Sequence, residues 1–105
     1  MYRGTTPTLI FNLSSNPNLD LSEVAEVWVT LKYATYTKTW ERAECSIDTE
    51  HKKISVTLTQ EDTLEMPVTN KMQAQIRILM NNGSALATNI VTLDVSAILK
   101  EGVIE

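Results

Sequence analysis

Asn82-Gly83 sits between two runs in which apolar and polar side chains alternate, and that arrangement leaves this part of the chain little choice of fold. A two-residue type I′ turn needs φ > 0 at both central positions, and Asn-Gly meets that demand at least cost. Centring a hairpin on this pair sets Met80 against Ala85, Ile78 against Ala87, Ala74 against Val91 and Met72 against Leu93. That face is apolar apart from Asn89, opposite Ile76. The other face carries Gln73, Gln75 and Arg77 opposite Thr92, Ile90 and Thr88, with Leu79 opposite Leu86 near the tip.

The same period of two recurs upstream. Thr8 to Leu13 reads as a strand with Leu9, Phe11 and Leu13 on one face, followed by a loop at Ser14-Ser15-Asn16-Pro17-Asn18 and a helical turn capped by Asp20 or Ser22. Glu26 to Tyr33 places Val27, Val29, Leu31 and Tyr33 on one side and Trp28, Thr30 and Lys32 on the other. A two-residue turn at Ala34-Thr35 would bring Tyr36 opposite Tyr33 and Trp40 opposite Val29. Ala43–Ile47 and Ile54–Thr59 form a further hairpin across a polar loop. Thr59, with Asp62 three residues on, has the spacing of a capped helical turn that bridges two sheets before Pro67. Ser96 to Glu101 is expected to form a short tail helix stopped by Gly102. Val, Ile and Thr supply thirty of the 105 residues, a β-branched excess that suits strands. The expected fold is all-β, a two-sheet antiparallel β-sandwich of seven to eight strands with one or two short helical turns. Residues 1–7 are expected to be a flexible N-terminal arm and residues 8–105 a single domain.

Chemistry is hard to find along this chain. The net charge is −4, and the nine Lys and Arg residues are scattered, which argues against a nucleic-acid partner. His51 lies in a charged turn beside Lys52 and Lys53, and reads as a solvated turn residue rather than a base or a ligand. Cys45, the only cysteine, is flanked by Glu44 and Ser46 and reads as a structural strand thiol. Glu61, Asp62 and Glu65 lack the spacing and the glycine of a calcium loop, and acidic residues belong at the start of a helical turn in any case. Three widely separated glycines exclude a phosphate cradle. The N-terminus has no apolar core of a secretory signal, and no apolar run is long enough to cross a bilayer, so no membrane partner is expected and the chain should be made and folded in the cytosol. Neither a catalytic site, a metal nor a cofactor is expected.

What remains is surface. Leu79, Leu86 and Ile90, with Arg77 beside them, would make an apolar patch with a polar rim on the outward face of the last hairpin. Trp28, opposite the apolar face of its strand, is open to three roles: a stacking platform for sugar, packing within the chain, or a contact with a neighbouring subunit. Trp28, Arg77, Leu79, Leu86 and Ile90 are therefore the candidate interface.

Three stretches carry a resemblance. Arg3-Gly4-Thr5-Thr6-Pro7-Thr8, Val56-Thr57-Leu58-Thr59-Gln60-Glu61-Asp62-Thr63 and Gln73-Ala74-Gln75-Ile76-Arg77-Ile78-Leu79 together resemble small prophage-encoded proteins of Gram-positive bacteria. Those are similar to the N-terminal domain of the phage baseplate upper protein family. The resemblance implies a β-sandwich that works by assembly, with other tail or baseplate proteins or its own copies as partners. It also implies residence in the host cytoplasm during assembly, and in the virion tail if the chain stays with the finished particle. Longer members of that family continue past this domain, whereas this sequence ends at Glu105, which implies an adaptor, minor tail component or assembly factor. The alternative reading is a carbohydrate-binding module for a cell-surface glycan.

Overall fold

The computed structural model describes every residue from Met1 to Glu105. In chain order the strands and helix are β1 (Thr8–Asn12), β2 (Val24–Tyr33), β3 (Tyr36–Glu41), β4 (Cys45–Asp48), β5 (Lys53–Thr57), α1 (Gln60–Leu64), β6 (Thr69–Met80), β7 (Ala85–Ala87) and β8 (Val91–Val95). Two single 3-10 turns, Leu21–Glu23 and Arg42–Glu44, complete the list of elements.

Alternation along β2 explains the larger sheet. Val27, Val29 and Leu31 are buried on one face, while Trp28, Thr30 and Lys32 look outward with at least part of their surface exposed. Ala34 takes φ 52 and lets β3 return with Tyr36 opposite Tyr33 and Trp40 opposite Val29, the register expected of a two-residue turn. On its other side β2 pairs with the twelve-residue β6, whose Met72, Ala74, Ile76 and Ile78 are buried in alternation. β7 and β8 share the far edge of β6, giving a five-stranded antiparallel sheet. The second sheet has three strands in the order β1-β5-β4. Ile54 and Val56 of β5, with Leu58 just beyond it, project from it into the common core. Each such aliphatic contributes roughly 1.5–3 kcal/mol relative to exposure. Together the sheets form the expected all-β sandwich.

Every passage of the chain between the sheets carries one helical turn. Leu21–Glu23 joins β1 to β2, Arg42–Glu44 joins β3 to β4, and α1 joins β5 to β6. Each is capped by its own sequence. The Asp20 carboxylate accepts from the Ser22 N–H (3.0 Å), and Glu41–Glu44 and Thr59–Asp62 are both capping boxes.

Three expectations need correction. The last hairpin does not turn through a two-residue type I′ loop, because Asn82 does not adopt positive φ. Gly83 alone does (φ 90), and Met80 N–H donates to Ser84 C=O (2.8 Å), so the loop is Asn81-Asn82-Gly83. Asn81 explains the choice, since its N–H donates to Glu23 C=O (2.8 Å) and its amide reaches the Glu23 carboxylate (3.3 Å). The tip therefore slips by one residue: Leu79 faces Ala85, Ile78 faces Leu86 and Arg77 faces Ala87. Beyond Thr88 the expected register returns, with Ala74 opposite Val91 and Met72 opposite Leu93. In between, the Thr88 hydroxyl accepts from the Ile76 N–H (3.1 Å), standing in for a strand partner.

The tail helix does not form. Ser96 is held in a parallel bridge with Tyr2, and the residues left before Gly102 are too few to nucleate a helix. Nor do residues 1–7 behave as a free arm. Arg3 N–H donates to Ser96 C=O (3.0 Å), the Arg3 guanidinium donates to Leu64 C=O (2.6 Å) and Met66 C=O (3.0 Å) and pairs with Glu101 (2.6 Å), and the Thr63 hydroxyl donates to Thr5 C=O (2.9 Å). Buried main-chain acceptors at the end of α1 need donors, and Arg3 supplies them.

Candidate interaction surface

The residue slip at the hairpin tip rearranges the candidate interface. On the outward face of the larger sheet Trp28 lies directly across from Arg77 on one side and Glu41 on the other, with Leu79 across from Glu26 two positions along. Trp28 and Leu79 are half-buried and Arg77 is exposed. Leu86, expected beside Leu79 on this face, is instead on the core side opposite Ile78, with 38% of its surface exposed. Ile90 sits in the connection between β7 and β8, 55% exposed. The five residues thus divide: Trp28, Arg77 and Leu79 share one face, and Leu86 and Ile90 lie elsewhere.

Leu86 has gone into a groove that sequence reasoning missed. It runs along one side of the sandwich, between the free edge of β1 and the edge formed by β7 and β8, with a volume of about 620 Å³. Leu9, Phe11 and Leu13 line one wall, Ile78, Leu86 and Leu93 the other, and Leu19 also borders it. None of its lining residues is ionisable. The local chain explains this: from Gly4 to Leu19 there is no Asp, Glu, Lys, Arg or His. That uncharged run is the one signal from which the groove was foreseeable. A cleft without charges can desolvate an apolar side chain at no electrostatic cost.

The residues considered for chemistry stay apart. His51 Nδ1 meets Asp48 Oδ2 at 2.8 Å in the exposed loop between β4 and β5, and the backbone N–H of His51, followed by its ring, holds the Asp48 carboxyl below its ordinary range. Cys45 opens β4 opposite Val56, where burial, helped by the Glu44 carboxylate, pushes its thiol up, the reverse of what a nucleophile needs. Asp62 belongs to the α1 capping box and pairs with Lys38, whose ammonium also lies 5.5 Å from the Trp40 ring centroid. Glu61 and Glu65 are exposed. No group of three or more His, Cys, Asp or Glu residues is arranged to hold a metal ion, and no helix is long and apolar enough to cross a membrane. Trp40 is buried, so of the two tryptophans only Trp28 presents part of its ring.

No family model, no curated protein and no solved structure matches the chain.

Proposed function

We propose that this sandwich is a non-catalytic structural or adaptor module of a phage tail or baseplate, working through protein–protein contacts. The observation that carries the reading is the uncharged apolar groove flanked by two free strand edges, the kind of surface to which another chain can add. The resemblance to the baseplate upper protein family points the same way. Two of the three stretches that carry it meet in space: Thr5 C=O accepts from the Thr63 hydroxyl, and Pro7 C=O accepts from the Leu58 N–H. The likeness thus falls on residues that tie the opening segment to the sandwich. The partners are tail or baseplate proteins or further copies of this chain. The place of action is the host cytoplasm during assembly and the virion tail after it.

The test is co-sedimentation. An epitope-tagged chain, expressed in the bacterium that encodes it, should travel with purified tail particles after induction. Recovery only in the particle-free supernatant would count against the reading.

One observation favours a second reading, a module that binds a cell-surface glycan: Trp28 lies half-open on the sheet between Arg77 and Glu41. Titrating purified wall polysaccharide while following tryptophan fluorescence tests this. Saturable quenching that vanishes in Trp28→Phe supports glycan binding, and an unchanged spectrum removes it.

A further inference from the structure

We infer that two copies of this chain associate by pairing their β1 edges antiparallel, with Ile10 of each copy at the two-fold axis. The inference rests on the assembly reading for its meaning and names one of its contacts.

Main-chain geometry decides which groups are free. Leu58 N–H donates to Pro7 C=O (2.9 Å) and Leu13 N–H to Lys52 C=O (2.8 Å). Hydrogen-bonded residues alternate along an antiparallel pair, so residues 7, 9, 11 and 13 direct their main-chain groups at β5. Thr8, Ile10 and Asn12 turn theirs to the open edge, and no strand lies beyond β1 in its sheet. Pro7, whose ring could have blunted the edge, has its missing N–H on the β5 side and leaves the free side intact.

The edge is complementary to itself. Placing Ile10 opposite Ile10 of a second copy overlaps both five-residue strands in full and exchanges both N–H···O=C bonds at the centre. Thr8 then faces Asn12 of the second copy. Leu9 faces its Phe11 in the closer, non-hydrogen-bonded type of pair. These last side chains point into the groove, so pairing extends the apolar wall described above. Ile10, 63% exposed in the single chain, meets its own copy on the opposite face.

Charge selects this edge over the others. Each chain carries −4, so copies repel unless they meet where charge is absent. β3 presents Lys38 and Glu41, β4 ends in Asp48, and β8 contains Asp94. β7 is uncharged but only three residues long. β1 lies within the run that has no ionisable side chain at all. A junction of this size is small for a permanent dimer, and the expected affinity is on the order of micromolar.

Sedimentation of the full chain from about 1 to 500 µM should show the mass rising toward two chains. Ile10→Lys, which brings two ammonium groups together at the axis, should weaken association by at least about tenfold without lowering the melting temperature. In a Cys45→Ser background, Ile10→Cys should form a disulfide-linked dimer on oxidation, because facing Cα atoms of a hydrogen-bonded pair lie about 5.5 Å apart. Thr8→Cys should not, since its counterpart is Asn12. A single-chain mass at every concentration overturns the inference. So does a dimer that Ile10→Lys leaves intact and Ile10→Cys does not lock, although assembly through another surface then still stands. Should Ile10→Lys melt early, the contrast between Ile10→Cys and Thr8→Cys decides. Tail particles lacking the chain, together with a dimer locked through Ile10→Cys, would discard the phage role and keep the pairing.

Discussion

The Tyr36 hydroxyl is a buried side-chain polar atom without a hydrogen-bond partner. Burial first, and then the Glu65 and Asp62 carboxylates, push its ionisation up against the pull of Lys38. An orphaned hydroxyl costs what its desolvation costs. Tyr36→Phe is therefore expected to leave the melting temperature unchanged or raise it, by up to about 1 kcal/mol in stability. Asp62 stands at the other extreme. Burial pushes its carboxyl up, but the Lys38 ammonium and the Thr59 N–H and hydroxyl outweigh burial and hold it below 3.8. The Asp62 carboxylate also raises Lys38 above 10.5, against the opposing pull of burial. A depressed acid stabilises the fold above its ordinary value and loses that contribution as pH falls through its folded value. A raised base contributes below its ordinary value and loses it as pH rises through its folded one. The pair is thus at full strength between those two ordinary values. In urea titrations the gap between the wild type and Asp62→Asn should be constant near neutrality and close as the pH drops well below 3.8.

Among the elements, those fixed by local chemistry were legible and those fixed by distant contacts were not. The β2–β3 register followed from a two-residue turn, and α1 followed from Thr59 and Asp62, whose reciprocal bonds measure 2.9 and 3.1 Å. Thr59→Ala should cost about 1 kcal/mol, read as a lower urea midpoint. The β6–β7 tip failed because Asn81 is bonded to Glu23, fifty-eight positions away, and no local pattern announces that. The outward set Trp28, Arg77 and Leu79 was readable from period two alone. The groove was not, because its width depends on where the edges of two separate sheets come to rest. Leu86 and Ile90 now separate experimentally. Leu86→Asp puts a charge beside the apolar groove and should destabilise by about 1–3 kcal/mol, whereas Ile90→Asp should stay within about 0.5 kcal/mol of wild type in chemical denaturation. Gly4 has φ +71, and a Cβ there would lie 2.9 Å from Ile98 Cδ1. Gly4→Ala should loosen the opening segment, seen as faster amide exchange at Arg3.

At the scale of the whole molecule, the two ends of the chain are fastened to each other. Met1 and Arg3 are bonded to Asp94 and Ser96 through three main-chain hydrogen bonds, and the two segments run parallel. Tension applied at residue 1 and at residue 105 would drag those segments in opposite directions along their shared axis. The three bonds would then be loaded at once and shear together, instead of unzipping in turn. Stretched end to end in an optical trap, the chain should hold until one abrupt rupture; gripped at Ser22 and Asn82, which flank the same end of the β2–β6 pair, it should unzip bond by bond at lower force. A protein pulled by its two ends gains from such a latch, because the load is shared by several bonds before any one of them is lost.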